Sequence, residues 1–197
     1  MKFTQREIKD LLFAWILISL AFAILLSGGT RSFTNPTIFL ISLIISALTA
    51  GIGFLLHELM HKYVAQSYKL QAEFFAFYKM LFLAIALSFL GFIFAAPGAV
   101  FIKGKITPEK NGKISLAGPL TNIILAVLFL ALLITIETES ILSLFFRYGF
   151  IINALLGAFN LIPVPPFDGY KVFDWNKAVY FTFAIIAIAL FVLIYYV

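Results

Sequence analysis

The chain has 197 residues, of which 63% are hydrophobic and 12% charged, and its mean hydropathy is +1.08. This composition excludes an ordinary soluble domain and predicts a membrane protein, with room for several spans but not for a sizeable soluble domain. The formal net charge of +5 is then a guide to topology and not to a nucleic-acid partner, and the absence of cysteine excludes disulfides and thiolate metal ligands.

The first two apolar runs cover residues 11–26 and 37–61. The first run follows a polar, basic N-terminal segment, and a cleaved signal peptide has this form. We expect the run to be retained as a first span, because every later segment is also typical of a membrane protein. The second run is long enough to cross a bilayer and predicts a transmembrane helix.

The second predicted span contains His57-Glu58-Leu59-Met60-His61, with the only two histidines of the chain. On a helix, residues four apart share a face and lie about 6 Å apart along the axis, so two imidazoles converge on one ion. Glu58 follows the first histidine, where a carboxylate serves as the general base of a zinc hydrolase. Such a sequence also arises by chance in Glu-rich helices, but ionisable residues at membrane depth are costly and indicate a functional site. We therefore predict that His57 and His61 bind zinc.

Residues 80–96 form a further apolar run, whose length suits either a short span or a re-entrant segment. Lysines flank it on both sides: Lys62, Lys69 and Lys79 before it, and Lys103, Lys105, Lys110 and Lys113 after it. Because lysines collect on the cytoplasmic side of a membrane, both flanks are expected to face the cytoplasm. We therefore interpret residues 73–102 as a re-entrant hairpin, with strand-like arms at 74–78 and 99–102.

Three more spans are predicted at residues 114–136, 147–161 and 178–197. With a cytoplasmic N-terminus, all of the 14 Lys and Arg residues except Arg31 and Arg147 fall on the cytoplasmic side. The predicted fold is an all-α polytopic membrane protein. It is a bundle of five to six transmembrane helices, with a re-entrant, partly strand-like hairpin between the second and third core spans.

The fourth span is followed by Pro163, Pro165 and Pro166, and then by Asp168. Proline cannot continue a helix, and lipid does not tolerate the exposed backbone unless the segment lines a polar cavity. A catalytic zinc site has three protein ligands and an open position, and without a third histidine or a cysteine the third ligand must be a carboxylate. We predict that Asp168 is this ligand, although an aspartate here is also typical of a helix N-cap.

Two asparagines lie in predicted spans. Asn160 precedes Asp168 by eight residues, and we predict that its amide contacts the backbone of a bound substrate, with helix packing as the alternative. Asn122 follows Gly118 and Pro119 in the third span, and there we favour packing of small residues with a polar contact.

Three motifs combine in this chain: His57-Glu58-x-x-His61, Gly118-Pro119-x-x-Asn122 and Asn160-x-x-Pro163-x-x-Pro166-x-Asp168-Gly169. Together they resemble the site-2 protease family of intramembrane zinc metalloproteases, and the resemblance covers about residues 37–176. The resemblance implies a single integral-membrane metalloprotease domain over residues 1–197. Many members carry a PDZ domain between the histidine and aspartate motifs, for which residues 103–113 leave no room.

The resemblance also implies a role for each site residue. His57, His61 and Asp168 would hold one zinc ion per chain, Glu58 would act as general base, and Asn160 would contact the substrate backbone or an oxyanion. The expected partners are the lipid bilayer and a membrane-protein substrate with a transmembrane segment. The expected location is the cell membrane, with the active-site opening on the cytoplasmic side.

Two other classes of function stay open. A metal-handling transporter also has broken helices at membrane depth, but it gives Glu58 no task, and no inverted repeat is apparent. A proteolytically inert scaffold of the same fold differs from a protease only in activity. A prenyl-protein endopeptidase with a glutamate as third ligand is disfavoured, because no downstream ExxxD-like helix is apparent.

Overall fold

A computed structural model describes residues 1–93, 97–136 and 139–197. Its α-helices and strands, in chain order, are α1 (Gln5–Leu26), α2 (Pro36–Ser46), α3 (Ile52–Ser67), β1 (Gln71–Ala76), α4 (Tyr78–Ser88), β2 (Gly98–Lys103), α5 (Pro108–Leu133), α6 (Ile141–Asn160), α7 (Asp168–Trp175) and α8 (Lys177–Leu193), and a 3-10 turn at Ile194–Tyr196 continues α8. A π-helical turn at Ala47–Gly51 joins α2 to α3, so the chain is helical without a break from Pro36 to Ser67. The strands β1 and β2 pair in a two-stranded sheet.

Among the described residues, five helices are long and apolar enough to cross a membrane. They are Gln5–Leu26, Pro36–Ser67, Pro108–Leu133, Ile141–Asn160 and Lys177–Tyr196. Five to six spanning helices were predicted, and five helices of spanning length are found among the described residues. Their path through a bilayer stays a prediction.

Helices α5 and α6 each begin six residues before the predicted spans at 114 and 147. Thr107 caps α5, because its hydroxyl accepts a hydrogen bond from the Lys110 N–H, and Pro108 suits the first helical position. Ser140 and Ser143 form a reciprocal capping box at α6. These two helices therefore start at polar residues. A hydropathy pattern places such residues outside a span, so it predicts a later start.

Helix α3 continues to Ser67, six residues beyond residue 61, where the predicted span ends. The positive φ of 62° at Lys69 marks the actual end. Lys62, which follows His61 directly, is buried within this helix. The two histidines therefore lie within a regular helix and not at its end.

The two predicted strand-like arms are strands, with different limits. β1 begins three residues before the predicted 74 and ends at Ala76, because α4 starts at Tyr78. β2 extends the predicted 99–102 by one residue at each end. Residues 94–96, at the end of the apolar run, lie outside the described residues. Re-entry of this segment into a membrane stays a prediction.

The chain divides into two compact units. The hairpin unit contains residues 2–55 and 73–101, and the bundle unit contains Met1, residues 56–72 and residues 102–197.

In the hairpin unit, carboxylates of α1 hold the backbone of β1. Glu7 Oε1 accepts a hydrogen bond of 2.9 Å from the N–H of Phe74. Asp10 Oδ2 accepts one of 3.2 Å from the N–H of Ala76. Both carboxylates are buried, so these bonds offset the cost of removing the charges from water.

In the bundle unit, α5 packs against α6 and α7, and α6 packs against α8. The shared core consists of Leu116, Ile123, Ala126, Phe150, Ala154, Leu161, Val172, Tyr180, Ala184, Ala187 and Leu190. Close approach of α7 to α5 depends on Gly112, because a Cβ there would collide with the Trp175 side chain. Helix α7, whose first residue is Asp168, therefore lies against α5.

Candidate metal centre

His57 and His61 lie one turn apart on α3, and their imidazoles meet as the sequence predicted. Their Nε2 atoms are 3.0 Å apart, and both side chains are buried. The two rings are nearly perpendicular, with an interplanar angle of 84°. The HExxH spacing therefore brings two imidazole nitrogens to one point.

Asp168 completes this cluster. Its Oδ2 atom lies 3.0 Å from His61 Nε2 and 3.5 Å from His57 Nε2. Asp168 is the first residue of α7, and the N-cap position belongs to Phe167, which makes no side-chain capping bond. The carboxylate thus faces the histidines and does not cap the helix.

The three donor atoms fit a zinc ion. They lie within 4.8 Å of one another. Zinc bonds of about 2.0–2.1 Å in a tetrahedral site separate two ligand atoms by roughly 3.3 Å, and the spacings of 3.0 to 3.5 Å agree with this value. Two histidines and one carboxylate are also the ligand set of a catalytic zinc site, which keeps one position open.

His61 is oriented by the backbone of α5. Its Nδ1 lies 2.7 Å from the carbonyl oxygen of Ile114, which can only accept a hydrogen bond. Nδ1 must therefore carry the proton, and Nε2 presents a lone pair to the cluster.

Gly118 on α5 leaves the space in which the ligand atoms sit. A Cβ at this position would lie less than 3.0 Å from the Nε2 atoms of both His57 and His61. Gly169 is equally confined, because a Cβ there would collide with the backbone of Leu161 and Ile162. Neither position has room for a side chain unless a metal ligand or its supporting backbone moves.

The two oxygens of Asp168 face different groups. Oδ2 lies beside the Nε2 atoms of His57 and His61. The second oxygen, Oδ1, lies 3.3 Å from Nζ of Lys171, which is on the same helix and half-exposed. One oxygen is thus free to bind a metal while the other is paired.

Glu58 and Asn160, predicted to take part in catalysis, are placed differently. Glu58 is buried on α3, within electrostatic reach of His57, Asp168 and Lys171. Asn160 is the last residue of α6, and its amide donates a hydrogen bond of 2.9 Å to the Leu156 carbonyl. Both catalytic roles stay predictions.

The sequence indicated that Asn122 is a packing residue, but its side chain also makes hydrogen bonds in the site. Its Oδ1 lies 2.6 Å from Nδ1 of His57, and its Nδ2 donates to Oδ1 of Asn153 at 2.9 Å. Sequence reasoning missed Asn153 altogether. A signal existed, because Asn153 precedes Asn160 by seven residues and so shares its helix face.

Comparison with known proteins identifies relatives named as zinc metalloproteases. "Putative zinc metalloprotease MJ0611" of Methanocaldococcus jannaschii is 43% identical over 191 residues, which cover 96% of this chain and 93% of the relative. "Putative zinc metalloprotease YwhC" of Bacillus subtilis is 32% identical over 145 residues, 64% of this chain and 66% of the relative. "Zinc metalloprotease MJ0392" of M. jannaschii is 31% identical over 131 residues, which span 61% of this chain but only 31% of the relative. No family model and no solved structure matches the chain.

Proposed function

Because this chain belongs to a family of zinc metalloproteases, we propose that it acts within the membrane, as site-2 proteases do. Its substrates would be membrane proteins, cleaved within or near their transmembrane segments in regulated intramembrane proteolysis. The observation that carries the proposal is the cluster of His57, His61 and Asp168, whose two histidines lie on a helix of spanning length. A water-soluble protease has no need to place its ligands on such a helix.

The chain's residues divide the chemistry of peptide hydrolysis between them. His57, His61 and Asp168 would hold one zinc ion, which would supply Lewis acidity and lower the pKa of the attacking water. We assign to Glu58 the removal of a proton from the attacking water and its delivery to the leaving amine. Asn160 is assigned to the backbone of the substrate, to which its amide can both donate and accept.

The substrate must be locally unwound before cleavage, because an intact helix keeps its peptide carbonyls in intrahelical hydrogen bonds. An extended segment can be held by addition to the edge of a sheet. On β1 the N–H groups of Phe74 and Ala76 are already bonded to Glu7 and Asp10. We therefore propose the outer edge of β2 as the one that accepts an extended substrate.

We also propose that the chain lies in the cell membrane with its N-terminus and active-site opening on the cytoplasmic side. Support comes from the lysine and arginine distribution, in which only Arg31 and Arg147 would face the other side.

The proposal is tested by cleavage of single-span substrates in liposomes, with the cut positions mapped by mass spectrometry. We expect cuts within or near the transmembrane segment, and faster cutting when two of its leucines are replaced by glycine. Each glycine weakens a helix by about 1 kcal/mol, so two should raise the rate up to roughly 30-fold. A matched substrate with two alanines in the same places controls for side-chain size. Cuts confined to the soluble tails of the substrate, or equal cleavage rates for the glycine and alanine substrates, would contradict intramembrane cleavage.

A further inference from the structure

The imidazole of His57 is held by a chain of two buried amides. Nδ1 of His57 lies 2.6 Å from Oδ1 of Asn122 on α5. Nδ2 of Asn122 donates to Oδ1 of Asn153 on α6 at 2.9 Å. Nδ2 of Asn153 then donates to the carbonyl oxygen of Gly149 at 2.9 Å. The chain of hydrogen bonds runs from the helix backbone of α6 to a metal ligand.

The donor-to-acceptor direction of these hydrogen bonds is fixed, because the last of them ends on a backbone carbonyl, which can only accept. The carbonyl of Gly149 must receive an N–H, so the amide nitrogen of Asn153 faces it and the amide oxygen faces Asn122. Asn122 in turn must present its nitrogen to Asn153 and its oxygen to His57. That oxygen accepts, so His57 carries its proton on Nδ1 and leaves a lone pair on Nε2.

Both asparagines are completely buried, with 0% of their surface exposed, so a flipped amide could not recover its lost bonds from water. A buried polar group without a partner is costly, and the reversed orientation of either amide would set like groups against each other. His61 needs no such relay, since the Ile114 carbonyl contacts its ring directly. Both histidines are thus protonated on Nδ1, His57 because of a side-chain amide and His61 because of a backbone carbonyl.

We infer that Asn153, which is two hydrogen bonds removed from the metal ligand atom, is a positioning residue that sets the tautomer and ring orientation of His57 through Asn122. The inference rests on the proposed metalloprotease function. Partners that orient a ligating histidine typically contribute 10- to 100-fold to metal affinity. An asparagine with no direct contact to the cluster should therefore contribute to zinc binding.

The test compares zinc affinity, measured by competition with a chelator, and the visible spectrum of the Co²⁺ form in the wild type and three variants. Asn153→Leu keeps the side-chain size but removes the acceptor for Asn122, and we expect zinc binding to weaken about 10- to 100-fold with an altered Co²⁺ spectrum. Asn153→Asp keeps an acceptor, so its zinc affinity should stay closer to that of the wild type. Thr121→Val is the matched control. It removes a hydrogen bond to Ala117 on the same helix as Asn122, without a link to His57, and should leave zinc affinity unchanged.

Wild-type affinity in Asn153→Leu, or equal losses in Asn153→Leu and Asn153→Asp, would overturn the relay while leaving the proposed function intact. A wild type that binds no zinc would overturn both. Should Asn153→Leu fail to fold, the ¹⁵N NMR spectrum of the zinc-free wild type at mildly alkaline pH shows which ring nitrogen of each of the two histidines carries the proton. Protonation of His57 at Nδ1 is expected, and a His57 ring protonated at Nε2 but not at Nδ1 would overturn the inference.

Discussion

Replacing Gly118 with alanine is expected to abolish zinc binding and, with it, proteolysis. The added methyl group would lie less than 3.0 Å from Nε2 of both His57 and His61, the two atoms that would bind the metal. Neither ring can move away without losing a hydrogen bond, because His61 is hydrogen-bonded to the Ile114 carbonyl and His57 to Asn122. Zinc content of the purified variant, measured by atomic absorption, should fall from about one ion per chain to background.

The control for this experiment is Gly157→Ala on α6. Both changes add about 1 kcal/mol of helix propensity, so the two variants differ in the steric clash and not in intrinsic helix preference. At Gly157 the nearest atom to a new Cβ is Cγ1 of Ile123 at 3.3 Å, a side-chain contact that a small shift relieves. This variant should keep its zinc. Full zinc occupancy in Gly118→Ala would mean that the ligand atoms do not point at the space beside Gly118.

Asp168→Ala is expected to weaken zinc binding by roughly 100-fold and to reduce cleavage to background. The carboxylate is one of three ligands, and structural zinc sites with four ligands bind with about 10–16 kcal/mol, or roughly 3 kcal/mol for each ligand. The two histidines alone leave two coordination positions without a protein ligand. Isothermal titration of the zinc-free protein with zinc measures this loss.

Asp174→Ala provides the comparison, because Asp174 lies on the same helix α7 and carries the same charge but is exposed. It should bind zinc as the wild type does. If Asp168→Ala retained wild-type affinity, the third ligand would have to be another group, and the interpretation of the proline-rich break as a site for the metal would fail.

The cluster of His57, His61 and Asp168 could be predicted from the sequence because each member depends on a short-range rule. A spacing of four places His57 and His61 on one helix face, and the lack of any other histidine or cysteine leaves a carboxylate as third ligand. Asp168 stood out because prolines break a helix at membrane depth. The strand-like arms were also recognised, although their limits shifted by one to three residues.

The supporting contacts could not be predicted, because they join elements far apart in sequence. Asn122 and Asn153 are separated by 31 residues, and their bond exists only because α5 packs against α6. The bond between Glu7 and the N–H of Phe74 spans 67 residues. Periodicity identifies a helix face, but it does not say which side chain on a neighbouring helix will meet it.

In the proposed mechanism, this chain hydrolyses peptide bonds with a zinc ion held by His57, His61 and Asp168 and with Glu58 as the base. The most direct test compares the wild type with Glu58→Gln, which keeps the size of the side chain but cannot accept the proton. Both proteins would be assayed for zinc content and for cleavage of single-span substrates in liposomes. We expect about one zinc ion per chain in both and cleavage by the wild type alone. Equal cleavage by the two proteins, or zinc in both with cleavage by neither, would contradict the account.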